Sequence, residues 1–398
     1  SVAPIVSWTQ GGALISVTEP LTVDFSVQDA TLDTVEAQLV SSIDGSTQVI
    51  ATWEDVGSHT VTIDPHRLAD GFYRLELVAQ DLSGRTTRVA QPLEVAAPEK
   101  TNVLIRSTND LSVTLDGVSI DFVRQYNSLD IERVGQLGSG WSLPLAEPNI
   151  AVSETGSDSN AHTRVAPWQE GTRIYLTLPT GERAGFTLVT QSLGDLDTRL
   201  VEPVWVPDAG VTFQLASTST RLQQVGNSLY EFGTGLPYNP QLLVNTGRVV
   251  LQLTGTDGTR YDYSVKSGPT SATNGVPTAV YQLAKIVGPA GQTLVWTGSG
   301  LVAGNGERVS FTRDADGRIT SLIGPDGQQV RYQYDESGRL SRVVDAASAR
   351  RVEFAYSSTA GLLSQITSSD GSIGLYASYD EQGELLSTQP LAQPLPTG

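Results

Sequence analysis

Residues 334–340 read YDESGRL, a turn written into seven positions. Tyr334 and Asp335 lead into two turn residues, then Gly338, Arg339 and the aliphatic Leu340. In such a stretch the aspartate accepts hydrogen bonds from turn N–H groups, and the glycine supplies a positive φ. Copies stand on both sides: RDADGRI over Arg313–Ile319, YDEQGEL over Tyr379–Leu385, and the degraded YSSTAGLL over Tyr356–Leu363. The aromatic residues Phe311, Tyr332, Phe354 and Tyr376 follow at intervals of 21, 22 and 22. The glycines Gly317, Gly338, Gly361 and Gly383 follow at 21, 23 and 22, with Asp314, Arg318 and Asp380 at further turn positions. A unit this short cannot bury its own face and must stack on its neighbours. The stretch is one tooth of a rack, not an isolated catalytic loop.

Outward from it, LPTGERAGFTLV, TGTDGTRYDYSV and VGPAGQTLVW repeat the glycine-turn hairpin. Thirty-nine glycines and recurrent Thr, Ser and Val, without long Ala/Glu/Lys/Leu runs, predict an all-β chain. Four segments are expected: 1–97, 98–150, 151–388 and a polar, proline-rich tail at 389–398. In the first, LTVDFSV (Leu21–Val27) alternates apolar and polar residues as a half-buried strand does. DGFYRLELVAQDLSGR places Tyr73 at a strand start after an Asp-Gly turn, as in a tyrosine corner, and so resembles an immunoglobulin-like or fibronectin-type sandwich. Trp8 and Trp53 are expected to fill its core. VAAPEK then reads as a linker.

Between 101 and 150, F-x-R-x-Y-N-S (Phe122, Arg124, Tyr126, Asn127, Ser128) precedes G-x-G-W-x-L-P (Gly138, Gly140, Trp141, Pro144). The glycines permit a tight bend, and the tryptophan can cover the bottom of a neighbouring sheet. With the repeated turns, this motif resembles the lead-in of Rhs/YD-repeat proteins over residues 100–390. The resemblance implies an antiparallel β-sheet scroll or spiral, used in that family for toxin encapsulation and cell-surface adhesion. About 30 strands at ~4.8 Å each would make roughly 140 Å of sheet.

Net charge is −18, and lysine occurs only at Lys100, Lys266 and Lys285. That argues against nucleic acid, whose binding needs clustered basic residues. Cysteine is absent, as is an apolar run long enough to span a bilayer. A first residue other than methionine fits a secreted chain that begins at a processing site. His59 and His66, near Asp55 and Asp64, do not share a strand face, and four-ligand zinc is not expected. His162 stands in a polar loop, and no G-x-S-x-G elbow accompanies the histidines. DADG (Asp314, Asp316, Gly317) is similar to the start of a calcium loop, but lacks the distal glutamate. Its arginine and that of the next repeat, Arg318 and Arg339, are expected to pair across strands with carboxylates of adjacent repeats. No catalytic residue, cofactor or metal site is expected.

These observations suggest a secreted or cell-surface structural subunit whose sheet edges are completed by other copies, giving fibres or tubes. The alternatives are an adhesin that binds surface glycans through exposed aromatics, and a truncated toxin-encapsulating shell.

Overall fold

In the computed structural model, residues 2–8, 12–153, 166–194, 199–218, 221–244, 246–271, 277–358, 361–369 and 374–389 are described. His162 and the tail beyond residue 389 lie outside them. The described chain is all-β, interrupted by three single-turn 3-10 helices.

The N-terminal segment forms two sheets. Ile5–Trp8, Leu21–Gln28 and Gly57–Ile63 make three strands; Ile15–Val17, Thr86–Val95, Gly71–Asp81, Leu32–Ser41 and Thr47–Trp53 make five. Period-2 alternation does the sorting: Val23, Phe25 and Val27 point inward from Leu21–Gln28 and pack on Val35, Leu75, Leu77 and Leu93. Trp8 and Trp53 are only partly buried, so aliphatic side chains and Phe25 supply the bulk expected of the two tryptophans. The Tyr73 hydroxyl donates to the Ala69 carbonyl at 3.0 Å, closing the turn before its strand. The expected linker is tied down. Ala97 is buried, and the Lys100 ammonium lies 2.6 Å from Asp70 and 3.0 Å from the Pro65 carbonyl.

Beyond residue 100, besides the two-residue hairpin Val134–Gly135/Gly138–Ser139, three larger sheets pack around one core. The hairpin Ile105–Leu115/Val118–Asn127 pairs with Trp141–Ser142. Six strands between Ala151 and Glu231 form a second sheet. Fourteen antiparallel strands, from Gln214–Ser217 and Val249–Thr254 through to Leu385–Gln389, form the third. From Val249 onward the third sheet is a plain meander in sequence order. The expected wall of about 30 strands is therefore divided. The buried face of the fourteen-stranded sheet is also covered rather than hollow: Leu111, Val113, Ile120 and Phe122 of the hairpin share a core with Leu322, Val330 and Tyr332. Large apolar side chains on both surfaces exclude water when the sheets close, which is the main driving force for that packing.

The repeat is more regular in structure than in sequence. Each hairpin closed by one of the YD-type turns carries a bulge at the same place, skipping Thr320, Ser341, Ser364 and Leu386 in the strand pairing. Phe311, Tyr332 and Phe354 are buried. Tyr376 is not: it is 49% exposed, and the buried position in its strand belongs to Ala377. Counting back from the turn explains the correction, because Phe311, Tyr332, Phe354 and Ala377 each stand three residues before Asp314, Asp335, Ser357 and Asp380.

Candidate functional site

The residues singled out in the sequence fall into two connected constellations: a ladder along the repeats and an interlock that plugs the lead-in into it. In the ladder, the carboxylate of Asp314 accepts the N–H groups of Asp316 and Arg318 and the Arg318 Nε–H. Asp335 does the same with Ser337 and Arg339. Asp380 caps its turn through the N–H groups of Gln382 and Glu384. Gly317, Gly338, Gly361 and Gly383 adopt φ of 82°, 78°, 66° and 79°, where a Cβ would be strained.

The arginines differ from expectation. Arg318 and Arg339 form ion pairs inside their own turns, and each guanidinium lies over the tyrosine ring of the following repeat. Arg318 is 4.6 Å from the centre of Tyr334, and Arg339 is 4.6 Å from Tyr356. Those tyrosines return the contact. Tyr334 donates to the Ile319 carbonyl at 2.5 Å, Tyr356 to Leu340 at 2.6 Å, and Tyr379 to Leu363 at 2.7 Å. Burial pushes all three hydroxyls well above the ordinary tyrosine range, so they remain donors at physiological pH.

The interlock centres on Arg124. A bulge in the lead-in hairpin pairs Phe122 with Leu111 and Val123 with Asn109, leaving Asp110 out of the ladder and turned inward. Asp110 takes a bidentate grip on Arg124, at 2.9 Å to Nε and 3.1 Å to the second guanidinium nitrogen. Both side chains are buried, and the Tyr332 hydroxyl closes the group by donating to Asp110 at 2.9 Å. The guanidinium sits 4.9 Å from the Trp141 ring and 5.0 Å from Phe354.

Neighbouring motif residues extend the seam. Phe122 meets Phe311 edge-on, and Trp141 meets Phe354 edge-on at 4.9 Å. Trp141 Nε1–H donates to the Tyr356 hydroxyl at 2.8 Å; since that hydroxyl donates onward to Leu340, one atom joins the lead-in to two repeats. The Tyr126 hydroxyl accepts the Leu363 N–H at 2.9 Å, an N–H beside a bulge. Burial raises the Tyr126 hydroxyl to about 12.

Asn127 and Ser128 hold the loop locally, accepting the Leu129 and Leu104 N–H groups. Gly138 and Gly140 have φ of 92° and 73°, and a Cβ on Gly138 would come within 2.5 Å of the Gly338 carbonyl oxygen. Pro144 is buried, its carbonyl accepting the Glu147 N–H at 3.3 Å.

Two residues of this seam escape motif reading. Asp110 belongs to no recognisable motif. Glu147, three residues after Pro144, is a partly buried carboxylate whose separate oxygens accept the Gln136 N–H at 3.0 Å and the Leu143 N–H at 2.6 Å. Burial pushes its carboxyl above the usual range, against the pull of those two N–H groups. Glu147→Gln removes one of the two acceptors and turns an amide N–H₂ towards a backbone N–H. It is expected to lower stability by about 1–3 kcal/mol. An unchanged denaturant midpoint would show that the seam does not depend on it.

His59 and His66 stand apart from the interlock. The His59 ring lies 5.4 Å from Trp53 and 5.5 Å from Phe25, while His66 Nδ1 is 2.9 Å from Asp64. Among the described residues, no three metal-ligating side chains gather in one place. A cleft of about 950 Å³ opens beside the seam, between Arg133–Gln136 and the strands Pro277–Val287 and Thr293–Thr297, with Trp296 on its wall.

The family model described as RHS Repeat matches residues 304–350, the segment that carries the Asp314 and Asp335 turns. No curated protein matches the chain. Among solved structures it is similar to a chain from work on host cell surface retention of a 1.5-MDa bacterial ice-binding adhesin. The identity is 13%, over 85% of this chain and 95% of that one, with a TM-score of 0.17. It is also similar to the Tc holotoxin pore of Photorhabdus luminescens: 12% identity over 94% of this chain and 22% of that one, TM-score 0.18. At those TM-scores neither superposition carries a topology across. The match to the RHS Repeat model spans residues 304–350, and the structure sets that segment in a larger sheet whose later hairpins follow the same plan.

Proposed function

We propose that the chain is a structural β-scaffold of an extracellular or cell-surface protein, with no catalytic role. One observation carries the reading: the charged and hydroxyl groups of the repeat turns are engaged with one another and with the lead-in. Asp314 and Asp335 hold their own turns, while Arg318, Arg339 and Tyr356 reach a neighbouring repeat or strand. An active site would instead present such groups to a cavity. The RHS repeat and the acidic, cysteine-free composition are compatible with that role.

Protease shaving of intact producing cells tests the placement. Loss of the chain while an internal marker survives supports it; protection until the cells are lysed overturns it.

Self-association through sheet edges is a second reading, favoured by Thr47–Trp53. That strand ends the five-stranded sheet, has neither charge nor proline, and exposes Val49 by 49%. Edges without such guards accept a further strand. Light scattering over a concentration series is expected to show growth in mass that Val49→Lys abolishes. A constant monomer mass at every concentration would overturn it.

A further inference from the structure

The turn Asp380–Leu385 departs from the pattern of the earlier ladder turns. In the two intact turns before the degraded one, the residue after the glycine is Arg318 or Arg339, and each reaches forward onto the next tyrosine. At the corresponding place after Gly383 stands Glu384, which cannot form a cation–π contact. Its carboxylate is nevertheless occupied. Glu384 Oε1 is 2.8 Å from the Arg67 guanidinium, and Oε2 accepts from the Asn102 side chain at 3.2 Å. Arg67 donates as well to the Gln382 carbonyl at 3.4 Å.

The backbone follows the same logic. Before the bulges at Thr320 and Ser364, the lead-in takes the N–H of Ile319, through Gln136, and that of Leu363, through Tyr126. In the last repeat the Leu385 N–H goes to the Asn102 carbonyl at 3.0 Å. Asn102 reaches it in the left-handed region, φ 57°, which asparagine tolerates better than most residues.

We propose that Arg67 and Asn102 form a cap on the Asp380–Leu385 turn, taking the role the lead-in plays at Ile319 and Leu363, and that Glu384 selects this cap. The surface recognised is the turn Asp380–Leu385, and its partner is the chain's own segment from the N-terminal sheets.

Hydrogen exchange of the full chain tests it, read at the Leu385–Gln389 strand against Gln329–Tyr334 as an internal reference. Arg67→Glu and Glu384→Arg each set like charges face to face. Both side chains are about one-third exposed, so the effect is local: roughly three- to tenfold faster exchange at Leu385 with the reference unchanged. The double swap, Arg67→Glu with Glu384→Arg, is expected to restore protection. Asn102→Ala, which strains the left-handed position and removes the amide, should act like either single change. Unchanged exchange in the single variants overturns the cap, as does failure of the swap to rescue. Faster exchange at the reference strand as well would show a general structural effect, and equally overturn a local cap.

Discussion

Asp110→Ala is expected to destabilise the protein by about 3–5 kcal/mol, because it leaves a buried guanidinium without its counter-charge. Arg124 is 2% exposed, and Asp110 provides both of its carboxylate contacts in the interlock. The Tyr332 hydroxyl would lose its acceptor at the same time, on a side chain that is also buried. The rings of Trp141 and Phe354 would still face the cation, but ring faces do not replace a bidentate carboxylate. Denaturant unfolding gives the number directly. Removing both charges, Asp110→Ala with Arg124→Met, is expected to recover part of the loss, since neither partner is then stranded. A single-variant loss below about 1 kcal/mol would mean that the guanidinium finds water or another acceptor, and that Asp110 is not the hub of the seam.

Trp141→Ala should cost a similar amount, about 3–5 kcal/mol, for a different reason. The side chain is 2% exposed and touches the lead-in and the repeats together: Tyr126 at 5.2 Å, Phe354 at 4.9 Å and the Tyr356 hydroxyl through Nε1–H. Truncation opens a cavity that two sheets and a loop would have to collapse together, and packed sheets move little. Trp141→Phe separates the contributions, keeping a ring while losing the N–H donor. The lost hydrogen bond alone accounts for about 1 kcal/mol. If the alanine variant lost no more than the phenylalanine variant, the packing argument would be wrong, and the hydrogen bond to Tyr356 would be the main tie.

Much of the architecture was legible in YDESGRL and its copies. The aspartate and glycine of each turn act through local chemistry, an acceptor two and four residues from its donors and a backbone that needs positive φ. Short-range effects of that kind are written in consecutive residues. The lead-in motif was legible for a similar reason, since Phe122, Arg124 and Tyr126 alternate on one strand face, and Gly138 and Gly140 make the bend that delivers Trp141. The all-β class followed from composition and period-2 alternation.

Other features depended on the assembled core. Spacing alone chose Tyr376, whereas burial chose Ala377, because the position relative to the turn and its bulge sets which face a strand residue occupies. The bulge at Asp110 shifts that parity by one residue, so a polar side chain that alternation would send to solvent enters the core. Glu147 is defined by two N–H groups that approach it only after the loop folds. Arg318 and Arg339 prefer their own turns because the next repeat delivers a tyrosine ring, not a carboxylate, to their outer side. The sequence by itself determined the turns, the strand periodicity and the β class, which rest on contacts between near neighbours in the chain. Only the tertiary structure decided which polar residues lock the sheets together. That choice depends on bulges and on partners as much as 237 residues away, whose bonds form once water has been excluded from between the sheets.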